Sequence, residues 1–234
     1  MKHLLPLLIG VISLPLVGQS VRWQAAINAL KARLSTQATR PMYDSLHALI
    51  TNHYAHLTTN QRSDIRKTLD SEARWAVGTL CSATEKGPKM TISGQITDEL
   101  GTPIPNARLT IYHADQQGYY APADAVSHKM SETDPRLFCV LVTGQSGSYR
   151  FGTVRPASYP IQYNGRTIPQ HIHINCTAEG YKTRRVQVVF ADDPAMNDPY
   201  WRTWATRLTY PILQLKITNG IGLHGNCDLV MSKL

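Results

Sequence analysis

Residues 169–174 read Pro-Gln-His-Ile-His-Ile, and this stretch decides the fold that we expect. In a β-strand, residues two apart project from the same face. His171 and His173 would therefore lie side by side, while Ile172 and Ile174 point from the other face into a core. Two imidazoles on one rigid strand are the beginning of a metal site, although such a pair also occurs by chance or as packed side chains. Further ligands must come from elsewhere in the chain.

Short strands separated by turns flank this stretch. Residues 91–97 and 108–113 alternate between apolar and polar, and Gly101-Thr102-Pro103 is one of the turn signals between such runs. Further strands are predicted at 137–143, 148–152, 171–177, 184–190, 208–217 and 226–232. About eight short strands in this arrangement predict a mainly β fold, an antiparallel β-sandwich.

A helical period replaces this pattern between residue 21 and about residue 79. Apolar residues recur there at three- and four-residue spacing, namely Trp23, Ile27, Leu30, Leu34, Leu46, Leu49, Ile50, Ile65, Leu69, Ala73, Ala76 and Val77. Pro41 separates the first helix from the second, and Thr58-Thr59-Asn60 offers a cap for the third. We expect a helical extension over residues 19–80 and the β-sandwich over residues 81–234. The extension would pack on the main domain or on a partner subunit, which makes a homo-oligomer possible.

The N-terminus has the pattern of a secretory signal. A basic start, Met1-Lys2-His3, precedes a mostly apolar run from Leu4 to Val17, and small and polar residues follow at Gly18-Gln19-Ser20. The run is too short for a comfortable membrane span, which needs about 20 apolar residues. We expect a signal peptide over residues 1–18 and an exported protein, periplasmic or secreted, with no membrane span.

Charge and cysteine content narrow the class further. The net charge is +8, but the basic residues are scattered, and an exported protein is expected to have no nucleic-acid partner. Four cysteines are present, Cys81, Cys139, Cys176 and Cys227, without a Cys-x-x-Cys pair. In an oxidising compartment they permit two disulfides with three possible pairings, and four buried thiols are the alternative.

Several segments around the histidine pair resemble a known family. In chain order they are Gly94-Gln95-Ile96-Thr97-Asp98, Gly101-Thr102-Pro103, Gly118-Tyr119-Tyr120, Arg155-Pro156-Ala157-Ser158-Tyr159-Pro160, His171-Ile172-His173 and Gln187-Val188-Val189-Phe190. In this order and spacing they resemble the intradiol ring-cleavage dioxygenases, the family of protocatechuate and catechol dioxygenases. The resemblance covers roughly residues 90–195 and implies an enzyme that uses one non-haem ferric ion, Fe(III).

The resemblance implies four ligands for this ion: Tyr120, Tyr159, His171 and His173. Tyr119 competes for the first position because two tyrosines follow Gly118, and the family spacing favours Tyr120. Two hard phenolate oxygens stabilise iron(III) over iron(II), and a trivalent cation favours the phenolate form. In the family, the tyrosine that corresponds to Tyr159 leaves the iron as substrate arrives and accepts a substrate proton. Tyr159 is therefore predicted to be catalytic as well.

Other positions bear on the substrate. Gln187 matches a family glutamine near the metal ligands, and the resemblance implies a catalytic role for it as well. The family usually has an arginine three residues before the first histidine, which stabilises negative charge on the reacting ring, but Ile168 stands there. Arg166 is the candidate replacement for substrate binding. Substrate choice is expected to depend on the loop 121–136 and on C-terminal residues including Trp201 and Trp204.

Other classes of protein compete with this interpretation. The Gly94–Asp98 stretch also resembles carboxypeptidase-regulatory and transthyretin-like domains, which are non-catalytic β-sandwich modules, and a catechol-binding protein could use the same scaffold. A zinc hydrolase would use residues such as His113 and Asp115. The four predicted ligands favour an iron(III) dioxygenase that uses O2 to cleave a small catecholic substrate between its two hydroxylated carbons. The expected product is a muconate-type diacid.

Overall fold

Two compact units make up the chain, and they divide after Glu72. The computed structural model of the protein describes residues 16–122, 132–217 and 222–234. Residues 1–15 of the predicted signal peptide and part of the predicted substrate loop lie outside the described residues. The described α-helices are α1 (Leu16–Thr36), α2 (Arg40–His53), α3 (Thr59–Glu72) and α4 (Pro199–Arg207). None of these helices combines the length and the apolar character that crossing a membrane requires.

The first unit consists of α1, α2 and α3, as the helical period predicts. The spaced apolar residues are buried in it: Trp23, Ile27, Leu30, Leu34, Leu46, Leu49, Ile50, Ile65 and Leu69. Thr58 caps α3, because its hydroxyl accepts the backbone N–H of Gln61 at 3.2 Å while the Gln61 side chain accepts the backbone N–H of Thr58 at 3.0 Å. This reciprocal pair satisfies two backbone donors that a helix start leaves unpaired.

The second unit contains two sheets and a hairpin. Its strands are β1 (Val77–Thr79), β2 (Lys89–Asp98), β3 (Arg108–His113), β4 (Leu137–Val142), β5 (Ser148–Val154), β6 (Gln162–Tyr163), β7 (Arg166–Thr167), β8 (His171–Thr177), β9 (Arg184–Phe190), β10 (Ile212–Leu213), β11 (Lys216–Ile217), β12 (Leu223–Asn226) and β13 (Leu229–Met231). One sheet has the order β1-β5-β2-β12-β11, with β13 also paired to β2, and the other has the order β10-β9-β8-β3-β4. Strands β6 and β7 form the hairpin.

Strand β8 lies in the middle of the second sheet, between β3 and β9. Ile172 and Ile174 are fully buried in the main apolar core, together with residues of both sheets such as Ile92 and Phe151. The alternation predicted for this stretch is confirmed, since His171 and His173 belong to the opposite face of the strand. The strand therefore fixes both imidazoles through the packing of the residues between and beside them.

The prediction of a purely antiparallel sandwich is corrected by the peripheral strands. The long central pairs are antiparallel, but β1 pairs in parallel with β5, β10 with β9, and both β12 and β13 with β2. These four strands have only two to four residues each. No tight hairpin joins them to the strands that they pair with, so their direction is not constrained to be antiparallel.

The predicted end of the helical region and the predicted extent of one strand are also corrected. The helical region ends at Glu72, and Val77–Thr79, predicted to be helical, forms β1 instead. The strand predicted at 208–217 is reduced to the short strands β10 and β11. All four cysteines are buried, and no disulfide joins any two of them in the described part of the chain. The structure thus corresponds to the alternative of buried thiols.

Candidate active site

The side chains of Tyr120, Tyr159, His171 and His173 meet at one point, and we call them the tyrosine–histidine cluster. The Tyr120 hydroxyl lies 2.9 Å from Nε2 of His173, and the Tyr159 hydroxyl lies 2.9 Å from Nε2 of His171. The two Nε2 atoms are 3.1 Å apart, and the two hydroxyls contact each other. The structure thus brings together all four residues predicted as ligands, and it is Tyr120 rather than Tyr119 whose hydroxyl joins the cluster.

Hydrogen bonding and stacking orient the two imidazoles. Nδ1 of His171 lies 2.7 Å from the carbonyl oxygen of Pro169, which can only accept a hydrogen bond. Nδ1 therefore carries the proton, and Nε2 presents a lone pair to the cluster. The His173 ring stacks on Tyr112, its neighbour in β3, with ring centroids 4.6 Å apart and planes 2° apart. Both rings are thereby held with Nε2 facing the phenols.

The two tyrosines come from loops that touch at Gly118. Gly118 has φ +84°, and a Cβ there would lie 2.2 Å from the carbonyl oxygen of Ser158. Only glycine permits this approach, which brings the loop of Tyr120 against the loop of Tyr159. The backbone N–H of Ala157 also donates to the Asp115 carbonyl at 3.0 Å. The cluster therefore depends on close docking of two loops.

Burial controls the protonation of the cluster. Desolvation raises the pKa of Tyr120 and of Tyr159 above the ordinary phenol value. Desolvation also lowers the pKa of His171, and it lowers that of His173 to about 3. Without a cation, the cluster thus consists of neutral phenols and neutral imidazoles at neutral pH. A metal cation would displace the phenol protons and meet imidazoles that already present lone pairs.

The donor set fits a single transition-metal ion. Nitrogen and oxygen donors bound to one such ion at about 2.0–2.1 Å lie roughly 3 Å from one another. Apart from the closer contact between the two hydroxyls, the contacts in the cluster have this spacing, from 2.9 Å to the 3.5 Å between the Tyr159 hydroxyl and Nε2 of His173. As phenolates, the two tyrosines would favour a trivalent over a divalent ion, because hard, anionic oxygen ligands suit a higher charge.

A cavity of about 420 Å³ adjoins the cluster. Tyr159 and His171 line it, whereas Tyr120 does not. Gln187 also lines the cavity, in β9 directly across from His173. Ile168 lines it and packs on an apolar group that includes Trp201.

Arg166 is the predicted site residue that the structure does not bring to this cavity. It follows Asn164 and Gly165, both at positive φ, in the turn between β6 and β7. Its guanidinium pairs with Asp198 at 2.9 Å and lies over the ring of Tyr200, 4.9 Å from the centroid. The tight turn and this ion pair hold its charge outside the cavity.

Sequence reasoning missed Glu132, Tyr163 and Tyr200 as lining residues of the cavity, although it pointed to Trp201 and Trp204, which also line it. Glu132 brings a carboxylate whose Oε1 lies 3.7 Å from Nε2 of His173. Burial raises the pKa of Glu132, and its hydrogen bond with the Tyr112 hydroxyl opposes that shift. Glu132 lies in the loop 121–136, where no periodic pattern distinguishes one polar residue from another.

The histidine and aspartate suggested for a zinc hydrolase have structural partners instead. His113 is fully buried, with Nδ1 2.5 Å from the Ala114 carbonyl and Nε2 2.6 Å from the Thr153 hydroxyl. Asp115 accepts the backbone N–H of Gln117 at 2.8 Å and stabilises the loop before Gly118. Within residues 16–122, 132–217 and 222–234, no three His, Cys, Asp or Glu side chains gather as a zinc site built from these residue types would require.

Comparison with known proteins identifies the family. A family model described as Dioxygenase matches residues 70–222, which is more than half of the chain. The hydroxyquinol 1,2-dioxygenase of Rhizobium sp. (strain MTP-10005) is 33% identical over 121 residues, covering 47% of this chain and 40% of that protein. The catechol 1,2-dioxygenase of Acinetobacter baylyi (strain ATCC 33305 / BD413 / ADP1) is 30% identical over 133 residues, covering 52% of this chain and 41% of that protein. The chain belongs to the intradiol ring-cleavage dioxygenase family.

A solved structure shows the same fold. The 3-chlorocatechol 1,2-dioxygenase from Rhodococcus opacus 1CP matches with a TM-score of 0.53 at 18% identity, covering 69% of this chain and 66% of that one. The aligned regions amount to only 40% and 41% of the two curated relatives named above. Those relatives are therefore substantially longer than the region that they share with this chain.

Proposed function

We propose that this protein is a non-haem iron(III) dioxygenase that cleaves a catechol-type ring between its two hydroxylated carbons and yields a muconate-type diacid. The observation that carries the proposal is the convergence of two phenol oxygens and two imidazole nitrogens on one point beside a cavity. The named relatives are 1,2-dioxygenases of hydroxyquinol and catechol, which supports the same class of reaction.

Tyr120, Tyr159, His171 and His173 would hold the iron. When bound, the ferric ion supplies a centre through which an electron-rich catecholate is made reactive towards O2, so no nicotinamide or flavin is needed. His171 and His173 remain neutral donors at physiological pH because burial lowers the pKa of each imidazole. The protein thus presents a donor set that needs no histidine deprotonation before the metal binds.

Tyr159 is the ligand suited to exchange with substrate. It lines the cavity, while Tyr120 is 1% exposed and does not line it. A phenolate released at the cavity wall is a base beside the incoming substrate hydroxyl, and desolvation raises the pKa of Tyr159, which strengthens that base. We therefore assign to Tyr159 the acceptance of a substrate proton and to Tyr120 a permanent place in the donor set.

Gln187 and Ile168 would shape the environment of the ring. Gln187 offers amide donors and acceptors next to His173. Ile168 offers only apolar surface, and no Lys or Arg among the described residues lines the cavity. No basic side chain in the described lining therefore neutralises negative charge on the reacting ring. Because that charge is not stabilised, we expect slow turnover of unsubstituted catechol.

Metal analysis tests the proposal directly. Protein purified from iron-replete cells should contain one ferric ion per chain and be red-brown from tyrosinate-to-iron charge transfer. A colourless protein with zinc at full occupancy would contradict the proposal.

We also propose that the protein is exported and that its mature chain begins near Gln19. The basic start, the apolar run and the small residues after it support this proposal. N-terminal sequencing of the protein from its producing cell tests it, and an uncleaved N-terminus would contradict it. Association of two or more chains through α1–α3 stays a prediction for sedimentation analysis.

A further inference from the structure

The loop that carries Tyr159 has little regular structure to place it. Residues 155–159, which we call the Tyr159 loop, follow β5 and belong to no helix or strand. A backbone hydrogen bond from the N–H of Arg155 to the Pro88 carbonyl, 2.9 Å long, holds the first residue of this loop. A ligand keeps a defined position only when packing and hydrogen bonds around it hold it there. The position of the Tyr159 hydroxyl therefore depends on side-chain contacts of the loop.

Arg155 supplies such a contact, because its guanidinium joins the Tyr159 loop to the sheet that carries the two histidines. Its Nε donates to Oε1 of Gln170 at 2.7 Å, and its two Nη atoms donate to the carboxylate of Asp192 at 2.7 and 2.8 Å. The guanidinium also lies over the buried ring of Phe190, 5.0 Å from the centroid. The planar fork of arginine makes these contacts together, which the single ammonium group of lysine cannot do.

The contact with Gln170 leads directly to the tyrosine–histidine cluster, because Gln170 immediately precedes His171 in the chain. The backbone N–H of Gln170 donates to Oδ2 of Asp193 at 2.6 Å, and Asp193 is buried. This carboxylate fixes the start of β8, so the side chain of Gln170 is attached to a rigid point beside the imidazole. The Tyr159 hydroxyl lies 2.9 Å from Nε2 of that imidazole. Arg155 thus closes a ring of contacts in which Tyr159 and His171 face each other.

The ion pair with Asp192 is the more exposed of these contacts. The side chain of Asp192 is 56% exposed, whereas that of Arg155 is 16% exposed. Water screens an ion pair with a carboxylate this exposed, so the pair contributes little to the placement of the loop. Gln170 is partly buried and Phe190 is fully buried, so solvent weakens their contacts with the guanidinium less.

We infer that Arg155 is a positioning residue for the exchangeable ligand Tyr159. Through its contact with Gln170, it holds the Tyr159 loop at a fixed distance from His171. The inference rests on the proposed function, since it adds a residue that the same metal site needs. With the loop anchored, the Tyr159 hydroxyl leaves the cluster by rotation of its side chain alone and returns to the same place. Without the anchor, the Tyr159 oxygen has no single defined position.

Iron affinity and the visible spectrum test the inference. The decisive variant is Gln170→Leu, which removes the acceptor for Nε of Arg155 and leaves the pair with Asp192 in place. In the iron-loaded variant we expect a shifted and weaker tyrosinate-to-iron charge-transfer band. Competition with a chelator should show an iron affinity about 10- to 100-fold below that of the wild type, the usual range for loss of a residue that orients a ligand. Arg155→Ala should have the same two effects, and adding Gln170→Leu to it should lower the affinity no further, because both changes remove one shared contact.

The matched control is Asp192→Asn, which removes the charge of the exposed partner and should keep the wild-type band and iron affinity. A role in stability alone would lower the midpoint of thermal unfolding without changing the band of the folded, iron-loaded protein. That result, an unchanged affinity in Gln170→Leu, equal losses in Gln170→Leu and Asp192→Asn, or losses that multiply in the double variant would overturn the inference and leave the proposed function in place. If Arg155→Ala does not fold, Gln170→Leu decides by itself. A wild-type protein that takes up no iron would instead overturn the proposed function and, with it, this inference.

Discussion

The Nε2 atoms of His171 and His173 lie 3.1 Å apart on one face of a single strand. The Nδ1–H of His171 donates a hydrogen bond to the Pro169 carbonyl, so its Nε2 lone pair faces the neighbouring ring. A lone pair directed at a second nitrogen is stable when a cation or a proton lies between them. With two phenol hydroxyls at the same point, the arrangement supports the proposed metal site over a packed histidine pair.

Removing single ligands should separate permanent ligands from the exchangeable one. His173→Ala and Tyr120→Phe should lose iron and colour, because each removes a donor that stays bound throughout. Tyr159→Phe should retain more iron but bind catechols more slowly, since the substrate base is gone. Iron content and stopped-flow spectra measure these effects. Tyr119→Phe is the matched control and should retain iron, while equal iron loss in all ligand variants would count against an exchangeable Tyr159.

The docking of the two tyrosine loops should depend on Gly118. Gly118→Ala places a methyl group against the Ser158 carbonyl and should destabilise the protein by about 1–3 kcal/mol while lowering iron occupancy. The control is Gly101→Ala, since Gly101 also has positive φ, +81°, but nothing lies within 4 Å of its added Cβ. Thermal unfolding and iron content of both variants check this. Matching losses of iron in the two variants would show that backbone strain, not loop contact, is responsible.

A basic residue at position 168 should accelerate cleavage of unsubstituted catechol. Ile168 lines the cavity, and a guanidinium there would stabilise the anionic ring during reaction. By analogy with an oxyanion-hole donor, the gain is about 2.7–4 kcal/mol, or on the order of a hundred- to a thousand-fold in rate. Oxygen uptake by Ile168→Arg measures it, with Ile168→Met as the apolar control. If Ile168→Arg keeps its iron and is no faster than Ile168→Met, position 168 does not limit the rate.

Acid should destabilise the fold through His113. Burial lowers the pKa of His113 to about 4, whereas an unfolded histidine titrates near 6.5. The unfolded state therefore takes up this proton first, so the stabilisation is complete above pH 6.5 and is lost as pH falls towards 4. Between pH 7 and pH 5 the loss is about 2 kcal/mol. Denaturant unfolding of iron-free His113→Asn should show a pH dependence shallower than that of the iron-free wild type by this amount. Parallel profiles for wild type and His113→Asn would contradict the assignment.

The strands that could be predicted from the sequence are those in which apolar and polar residues alternate because one face of the strand is buried. Strand β3 was predicted at its observed bounds, Arg108–His113, and β8 at His171–Thr177, because every second side chain enters the core. The short strands β1 and β10 show no such alternation. They are strands because they pair with β5 and β9, which are distant in sequence. The helix α4 did have a local signal that was missed: Asp198, whose side chain accepts the backbone N–H of Tyr200 as the N-cap, followed by Pro199.

The residues of the candidate site also include some that could be predicted from the sequence and some that could not. The histidines share one strand, and family spacing distinguished Tyr120 from Tyr119, so the four cluster residues could be named from the sequence. Glu132 could not, because its position beside His173 results from the fold of a loop without periodicity. The placement of Arg166 depended on a turn and on the ion pair with Asp198, which proximity in sequence to His171 does not reveal.

The product formed from a simple catechol shows whether the protein cleaves the ring between its two hydroxylated carbons. Iron-loaded protein is supplied with catechol and ¹⁸O-labelled O2, without added reductant, and the product is analysed by mass spectrometry. We expect a cis,cis-muconate-type diacid that contains both atoms of one O2 molecule. A yellow semialdehyde from cleavage beside the diol would contradict it. Tight catechol binding with a colour change but no oxygen uptake would also contradict it, and would indicate a catechol-binding protein on the same scaffold.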